Sequence, residues 1–494
     1  MASALQRLVG QTAIYGLSSI IGRVLNYLLV PLYTRVFLPQ EYGIVTELYA
    51  YVALFIAILN LGMDTAFLRF SRKGHPIDHV FGTALATVLL TSVTFLGIML
   101  WQQDNIAESL KIAEHPEYIV WFAWVVAIDA ISAIPFARLR AENKAKKFAL
   151  LKLLGIGVNI GLNLFFILLC PILYREPDSW AYPLISGWYS ESVRVGWIFI
   201  ANLAASGLSL ALLFPELLKV RLRLDPKLNG PMFRYAAPVV LIGIAGIVNE
   251  TLDRILMNYL LPLDDGAIKA EIGIYGACYK LSIIMTLAVQ AFRYAAEPFF
   301  FAEADQKDSR KTYATVMTWF SLVLGAIFLT TLLFLDVIKR FIGSEFHEGL
   351  HLVPILLLAN LVLGLYYNLS VWFKLTDKTM MGAYVATFGA LITIVLNMLW
   401  IPEFSYTGSA WATLITYVVM TILSYVLGRK HYPVPYQVGK ILLYLGLALG
   451  LYFASVAIGL EEGWLKLGVH AVLLSLYLGI VIAVERPFQK GLFR

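Results

Sequence analysis

AAPVVLIGIAGIVNETLDRILMNYLLPL, residues 236–263, is long and apolar enough to cross a bilayer as one helix, because about 20 apolar residues suffice. Three ionisable residues, Glu250, Asp253 and Arg254, lie near its middle. A charged side chain at the centre of a bilayer costs roughly 2.5–3.5 kcal/mol on insertion scales, so each of them needs a partner or a wet cavity. Intramembrane charges mark substrate or ion sites by default, and this segment is therefore the first candidate site in the chain.

The same segment is part of an internal repeat. RILMNYLLP begins at Arg254 and RVLNYLLVP begins at Arg23, an offset of 231 residues. EIGIYGACY, from Glu271, resembles EYGIVTELY, from Glu41, at an offset of 230. A third set keeps an offset of 234: Lys144, Gly155 and Asn163 match Lys378, Gly389 and Asn397. Matches that follow in order at nearly one offset predict two homologous halves, both of which begin on the same side of the membrane.

The composition indicates an all-α membrane protein. Of the 494 residues, 60% are hydrophobic and 14% are charged, against about 25% charged in soluble domains. Cys170 and Cys278 both fall in apolar segments, where we expect them to pack against other side chains. The sequence contains no Walker A motif and no Cys/His spacing of a metal site, so we predict no cofactor and no metal. An excess of Lys and Arg belongs to cytoplasmic loops in such proteins, so it does not indicate nucleic-acid binding.

Apolar stretches predict about fourteen transmembrane helices. We expect them at about 12–31, 43–62, 80–100, 118–136, 150–172, 194–214, 236–262, 272–298, 313–335, 350–373, 380–401, 406–428, 438–459 and 464–484. These group into an N-lobe (1–214), a cytoplasmic linker (215–235), a C-lobe (236–428) and two further helices with a tail (429–494).

Loop charges predict the orientation. With the N-terminus in the cytoplasm, 26 of the 38 Lys and Arg residues fall on the cytoplasmic side and 8 on the other. This bias predicts that both termini are cytoplasmic. The basic run RLRAENKAKK, Arg138–Lys147, is cytoplasmic in this topology. It has two interpretations, a topology signal that contacts anionic lipid or a surface that attracts an anionic substrate.

Five stretches resemble bacterial polysaccharide flippases of the multidrug/oligosaccharidyl-lipid/polysaccharide exporter superfamily. They are GRVLNYLLVPLYTRVFLPQEYG (22–43), LNLGMDTAFLRF (59–70), LRAENKAKKF (139–148), VNETLDRILM (248–257) and LNMLWIPEFSYTGSAWATLITY (396–417). The resemblance implies two six-helix lobes in a V, related by a pseudo-two-fold axis, plus two C-terminal helices. It also implies a substrate, a polyprenyl-diphosphate-linked oligosaccharide, that alternating access carries across the inner membrane.

An anionic diphosphate needs cations, and arginine suits phosphate because its planar fork binds two oxygens at once. The span cations are therefore the predicted substrate-binding residues: Arg23, Arg254, Lys280 and Arg293. Arg23 is the leading candidate because no acidic residue lies within one turn of it. Two structural interpretations stay open. Glu250 and Arg254 stand four residues apart and can neutralise each other, and Arg293 can snorkel beside Glu297.

Carboxylates in or near the spans are candidates for coupling transport to a proton or a sodium ion, because burial favours proton uptake. They are Glu47, Asp64, Asp129, Glu250, Asp253 and Glu297, of which Asp129, Glu250 and Asp253 are the predicted ion-coupling residues. Asp129 stands out because its span carries no other charge.

The sequence thus predicts a flippase, not an enzyme, that serves O-antigen, capsule or exopolysaccharide assembly together with other membrane proteins of that assembly. The alternatives are a multidrug or cation antiporter of the same fold, a membrane glycan polymerase or ligase, and a peptidoglycan-precursor flippase. Four span cations disfavour the antiporter. A glycan polymerase or ligase would need a sizeable external loop that carries catalytic groups, and the loop at about 173–193 is short for that role.

Overall fold

The computed structural model describes residues 20–176, 178, 182–218, 220–306, 308–461 and 463–485. Regular structure in these ranges is helical, with no strand. Eleven of the described helices are long and apolar enough to cross a membrane, and one bent pair raises the number to twelve. The predicted all-α membrane fold is confirmed. The first predicted span, 12–31, lies partly outside the described residues, so the total of fourteen stays a prediction.

The chain forms two compact units, Met1–Gly276 and Ala277–Arg494. The predicted boundary between repeats, at 215–235, concerns sequence homology and stays a prediction. The first unit begins with α1 (20–27) and continues through the following helices: α2 (Val30–Val36), α3 (Pro39–Asn60), α4 (Met63–Phe70), α5 (Ile77–Trp101), α6 (Gln103–Ser109), α7 (Pro116–Ala141), α8 (Ala145–Leu164), α9 (Cys170–Tyr174), α10 (Tyr182–Ile185), α11 (Gly196–Leu218), α12 (Pro226–Leu260) and most of α13 (Asp265–Leu281).

Helix α7 lies at the centre of the first unit, packed against α5 and α11. Its buried residues face all sides of the helix, as expected for a span that other helices surround. A π-helical segment, Phe165–Leu169, joins α8 to α9. Between α3 and α4 the chain turns sharply at Leu61 and Gly62, both with positive φ (49° and 66°). A Cβ on Gly62 would lie 2.9 Å from Val240 Cγ2, so glycine suits both the backbone and the packing there.

The second unit contains α14 (Ile283–Glu303), α15 (Ser309–Leu333), α16 (Leu335–Ile338), α17 (Val353–Leu369), α18 (Val371–Leu375), α19 (Thr379–His431), α20 (Val438–Ile458) and α21 (Trp464–Glu485). Helices α13 and α14 meet at a 50° bend. Ser282 forms the break, donating a 2.7 Å hydrogen bond to Tyr279 O and accepting one of 3.1 Å from Asn360 Nδ2. The 53-residue α19 is interrupted at Ser405 (φ 49°, ψ −137°). This break falls between the predicted spans 380–401 and 406–428.

Candidate functional site

Two of the three charges of the opening stretch, Asp253 and Arg254, form a buried cluster between α12 and α13. Arg254 Nη1 donates a 2.6 Å hydrogen bond to the Glu250 carbonyl and lies 3.5 Å from Asp253 Oδ1. Asp253 also accepts hydrogen bonds from the Arg254 amide (2.8 Å) and from the Tyr275 hydroxyl (2.5 Å). The guanidinium lies over the Tyr275 ring, 5.4 Å from its centroid. Asp253 and Arg254 therefore neutralise each other inside the protein, and the side chain of Glu250 is exposed.

Arg23, the repeat equivalent of Arg254, lies in α1 and is exposed. No ion pair involves it among the described residues. The sequence treated these two arginines as a matched pair. In the structure they differ, because one is held by a carboxylate and the other is accessible.

The two second-unit cations also differ from each other. Lys280 is half-buried near the end of α13. Arg293 is exposed and lies over the ring of Tyr367, 4.8 Å from its centroid. Glu297, four residues after Arg293, binds Lys374 at 2.6 Å. Glu297 thus pairs with Lys374, whereas the four-residue spacing suggested Arg293 as its partner.

Asp129 lies midway along α7, half-buried, and accepts a hydrogen bond from Ser206 of α11. The charge of Lys152, on α8, acts on the same carboxylate. Lys152 Nζ lies 4.3 Å from the ring centroid of Phe136. The charge count grouped Lys152 with the cytoplasmic cations because it lies at the start of the predicted span 150–172, and the structure places it two turns inside α8. The predicted ion-coupling carboxylate Asp129 therefore has a cationic neighbour that the sequence did not reveal.

A second buried ion pair, between Glu47 of α3 and Lys269 of α13, was also missed. Lys269 Nζ bonds the Glu47 carboxylate and, at 3.0 Å, Asn258 Oδ1 of α12. Their side chains are 1% and 4% exposed. Lys269 was assigned to an external loop because its span was predicted to begin at 272. The helix in fact begins at Asp265, and Asp264 caps it by accepting a 3.1 Å hydrogen bond from the Ala267 amide. A capping aspartate was the signal in the sequence.

The basic run 138–147 is a network of ion pairs. Arg138 binds Asp78 and Glu142, both at 2.7 Å, and Lys144 binds Glu142 at 2.5 Å. Lys147 binds Glu216 at 2.7 Å. Burial raises the pKa of Glu142, but hydrogen bonds from Lys144 and Arg138 outweigh it, so the pKa lies below its usual value. These cations join the ends of α5, α7, α8 and α11. Because they are paired with carboxylates of the protein, less of their positive charge is left to attract an anionic substrate.

A cavity of about 410 Å³ lies near the predicted external end of α8 and α9. Its wall includes aromatic residues that pack on one another. The rings of Trp197 and Phe166 stack with centroids 4.7 Å apart, and those of Trp197 and Tyr189 with centroids 5.1 Å apart. Arg175 and Glu191, at the rim, pair at 2.9 Å. The stacking occupies the ring faces, so we assign this region to packing near the membrane interface.

Several solved structures that resemble this fold are named as flippases or transporters. The chain is similar to "Lipid II flippase MurJ, inward closed conformation", with a TM-score of 0.72 at 12% identity, covering 94% of this chain and 98% of that one. An inward-facing multidrug resistance MATE family transporter of the MOP superfamily gives a TM-score of 0.63 at 15% identity, over 82% and 93% of the two chains. An outward-facing one gives 0.58 at 15% identity, over 85% and 95%.

No curated protein matches the chain at a significant level. A family model described as "Polysaccharide biosynthesis protein" matches residues 8–302. This match covers more than half of the chain, and it agrees with the flippase-like motifs and with the transporter fold. The chain belongs to this polysaccharide biosynthesis protein family, as a multi-span membrane protein with the fold of MurJ and the MATE transporters.

Proposed function

We propose that the protein is a flippase that carries a polyprenyl-diphosphate-linked oligosaccharide across the bacterial inner membrane by alternating access. The observation that carries the proposal is a set of cations on membrane helices in a member of a polysaccharide biosynthesis family. A glycan attached to a diphosphate cannot enter hydrocarbon unaided, and arginine binds phosphate oxygens through a planar set of donors.

The exposure of the four cations gives them different roles. Arg23 and Arg293 are exposed and are the groups that an incoming diphosphate reaches. Arg254 is buried against Asp253, so it binds phosphate after the substrate has competed with that carboxylate. Lys280 is half-buried and contributes at the end of the same helix as Tyr275.

Ion coupling fits Asp129 best among the three predicted carboxylates. Asp253 is fixed by a hydrogen bond from Tyr275 and by contact with Arg254. Glu250 is exposed. Asp129 has one hydroxyl donor, Ser206, and a lysine neighbour on another helix, so binding of a proton or a sodium ion there changes the attraction between α7 and α8. The coupling ion is a proton or sodium.

A peptidoglycan-precursor flippase is the second candidate, and the TM-score of 0.72 to the lipid II flippase favours it. Both candidates carry a diphosphate lipid, so the same cations serve either. Among the predicted site residues the exposed charges are two cations, Arg23 and Arg293, and one carboxylate, Glu250, and this excess of positive charge disfavours a cation antiporter.

The test is the lipid content of a strain that lacks the gene. Mass spectrometry of the lipid extract should show an accumulated polyprenyl-linked oligosaccharide, together with loss of the surface O-antigen, capsule or exopolysaccharide, and the wild-type gene should reverse both. Accumulation of the peptidoglycan precursor would instead support the second candidate. An unchanged lipid profile with an intact surface would contradict both.

A further inference from the structure

Asn368, in the last turn of α17, has a buried side-chain amide without a partner. The residue is 3% exposed, and neither its Oδ1 nor its Nδ2 forms a hydrogen bond within the described part of the chain. Asn360, two turns earlier on the same helix, shows the usual arrangement, because its Nδ2 donates to Ser282 Oγ at 3.1 Å and to Leu356 O at 2.9 Å. Burial of an amide without a hydrogen bond is costly, so the Asn368 side chain needs a partner.

The same residue lines a small cavity of about 10 Å³. The other walls of this cavity come from the ends of α14 and α15, from α18 and from the segment 432–436, which leads from α19 to α20. More than half of the described residues that line it are aromatic, and none of them is charged. A partner for the amide in this space is therefore small and neutral, and it both donates and accepts hydrogen bonds.

Tyrosine hydroxyls lie on another side of the cavity. The Tyr313 hydroxyl donates a 2.7 Å hydrogen bond to Phe300 O, and it is also hydrogen-bonded to the Tyr432 side chain. Because Tyr313 gives its proton to the carbonyl, Tyr432 is the donor of the second bond, and the Tyr432 oxygen is able to accept a further one. Burial, followed by the nearby Tyr432 and Tyr313, raises the pKa of Tyr436, which also lines the cavity.

The segment 432–436 is packed into the second unit just before α20 begins. Val434 is 8% exposed and belongs to one apolar cluster with Phe300 and Tyr313. Arg310 lies over the ring of Tyr432, 4.8 Å from its centroid. These contacts bury the segment, and a hydrogen-bonded link to α17 would also fix its orientation.

We propose that the cavity is the binding site of one buried water molecule, which joins the Asn368 amide to the Tyr432 hydroxyl and so links α17 to the segment before α20. Water is neutral, donates and accepts hydrogen bonds, and needs roughly 10–15 Å³ of such space for one molecule. Buried waters typically bond polar groups that have no protein partner, and they are costly to remove. The proposal concerns the second unit alone and does not depend on the transported substrate.

Replacement of the amide by leucine distinguishes a water site from an unpaired amide. Asn368→Leu keeps the approximate size of the side chain and removes its polar atoms. If the water is bound, the melting temperature of the detergent-solubilised protein should fall by about 2–4 °C, because the water loses its anchor. An unchanged or higher melting temperature would show that the substitution only removed an unsatisfied amide, and it would overturn the proposal. Asn360→Leu, which breaks two hydrogen bonds, is the reference for a loss.

A double-mutant cycle tests the second partner of the water. Tyr432→Phe removes the hydroxyl and keeps the ring that Arg310 contacts. The losses caused by Asn368→Leu and Tyr432→Phe should add up to more than the loss of the double variant, since one water connects the two side chains and either substitution releases it. Asn360→Leu with Tyr432→Phe is the control cycle and should be additive. Additive losses in both cycles would overturn the bridge.

A density map that resolves ordered waters gives the direct test. It should show one peak within about 3.2 Å of both the Asn368 amide and the Tyr432 hydroxyl, and the map of Asn368→Leu should lack this peak. A wild-type map without the peak would overturn the proposal. Because none of these measurements involves export, their outcome is independent of the lipid analysis that tests the flippase.

Discussion

The Tyr275 hydroxyl donates a 2.5 Å hydrogen bond to Asp253 Oδ2, and the ring of the same tyrosine lies against the Arg254 guanidinium. One side chain of α13 thus contacts both charges in the last two turns of α12. Asp253 cannot turn away from Arg254 while this bond exists. The tyrosine therefore helps to hold Arg254 and Asp253 together.

Tyr275→Phe tests this role. The substitution leaves a buried carboxylate oxygen without that donor, so we expect the free energy of unfolding to fall by about 1–3 kcal/mol. Thermal unfolding of the detergent-solubilised protein measures it. Tyr51→Phe is the matched control, because the Tyr51 hydroxyl lies 3.2 Å from that of Tyr259 at an exposed position. A surface change of this kind costs about 0.5 kcal/mol or less. Equal losses in both variants would contradict the role given to Tyr275.

Arg23→Ala and Arg254→Ala should each reduce polysaccharide export at least tenfold while the protein stays inserted, because each would remove a cation that we propose binds the substrate diphosphate. Arg23→Lys should retain part of the export, since an accessible single charge suffices there. Arg254→Lys should not, because the guanidinium contacts a carbonyl, a carboxylate and a ring together. Arg175→Ala, with a side chain 73% exposed, is the control and should export normally. Normal export by both alanine variants would exclude these arginines from the site.

Asp129 and Lys152 should be energetically coupled. We expect the stability losses of Asp129→Asn and Lys152→Met to add up to more than the loss of the double variant. The difference, the interaction energy, should be about 0.5–3 kcal/mol. The exposed pair Lys374–Glu297, 2.6 Å apart, supplies the control cycle, for which about 0.2–1 kcal/mol is expected. If Asp129 couples transport to an ion, Asp129→Asn should also remove the dependence of export on the ion gradient. Additive effects at Asp129 and Lys152 would show that the two do not interact.

Stability should depend on pH through Glu142. Its pKa in the folded protein lies below the usual 4.5. The carboxylate therefore stabilises the fold above pH 4.5, and this contribution is lost as the pH falls through the folded value. Melting temperatures measured between pH 7 and about 3.5 should fall more steeply for the wild type than for Glu142→Gln. Parallel curves would indicate that the network around Arg138 does not depend on this carboxylate.

The topology is tested with fused reporters. A reporter at Lys144 should be cytoplasmic and one at Asp178 should be periplasmic, as the loop charges predict. The opposite result would overturn the predicted orientation of the chain.

Much of the fold was predictable from local patterns. Long apolar stretches are helical in lipid because the backbone must satisfy its own hydrogen bonds there. The break at Ser405 was predictable from the polar and proline-containing stretch around Pro402, and the break at Ser282 was not, because it depends on Asn360 from another helix. The helix that contains Lys269 was predicted to start too late, since its first turn is polar.

The sequence by itself determined the membrane-spanning helical class, the repeat and the unusual charges Glu250, Asp253 and Arg254, because composition, offset and local spacing are properties of the chain. The tertiary structure alone decided which charges meet. Lys269 and Glu47 are 222 residues apart in the chain. The backbones of α3 and α13 approach so closely that a Cβ on Gly43 would lie 3.2 Å from the Gly273 amide nitrogen. Such pairs form because helix packing brings distant residues together inside a low-dielectric interior, where an unpaired charge is costly.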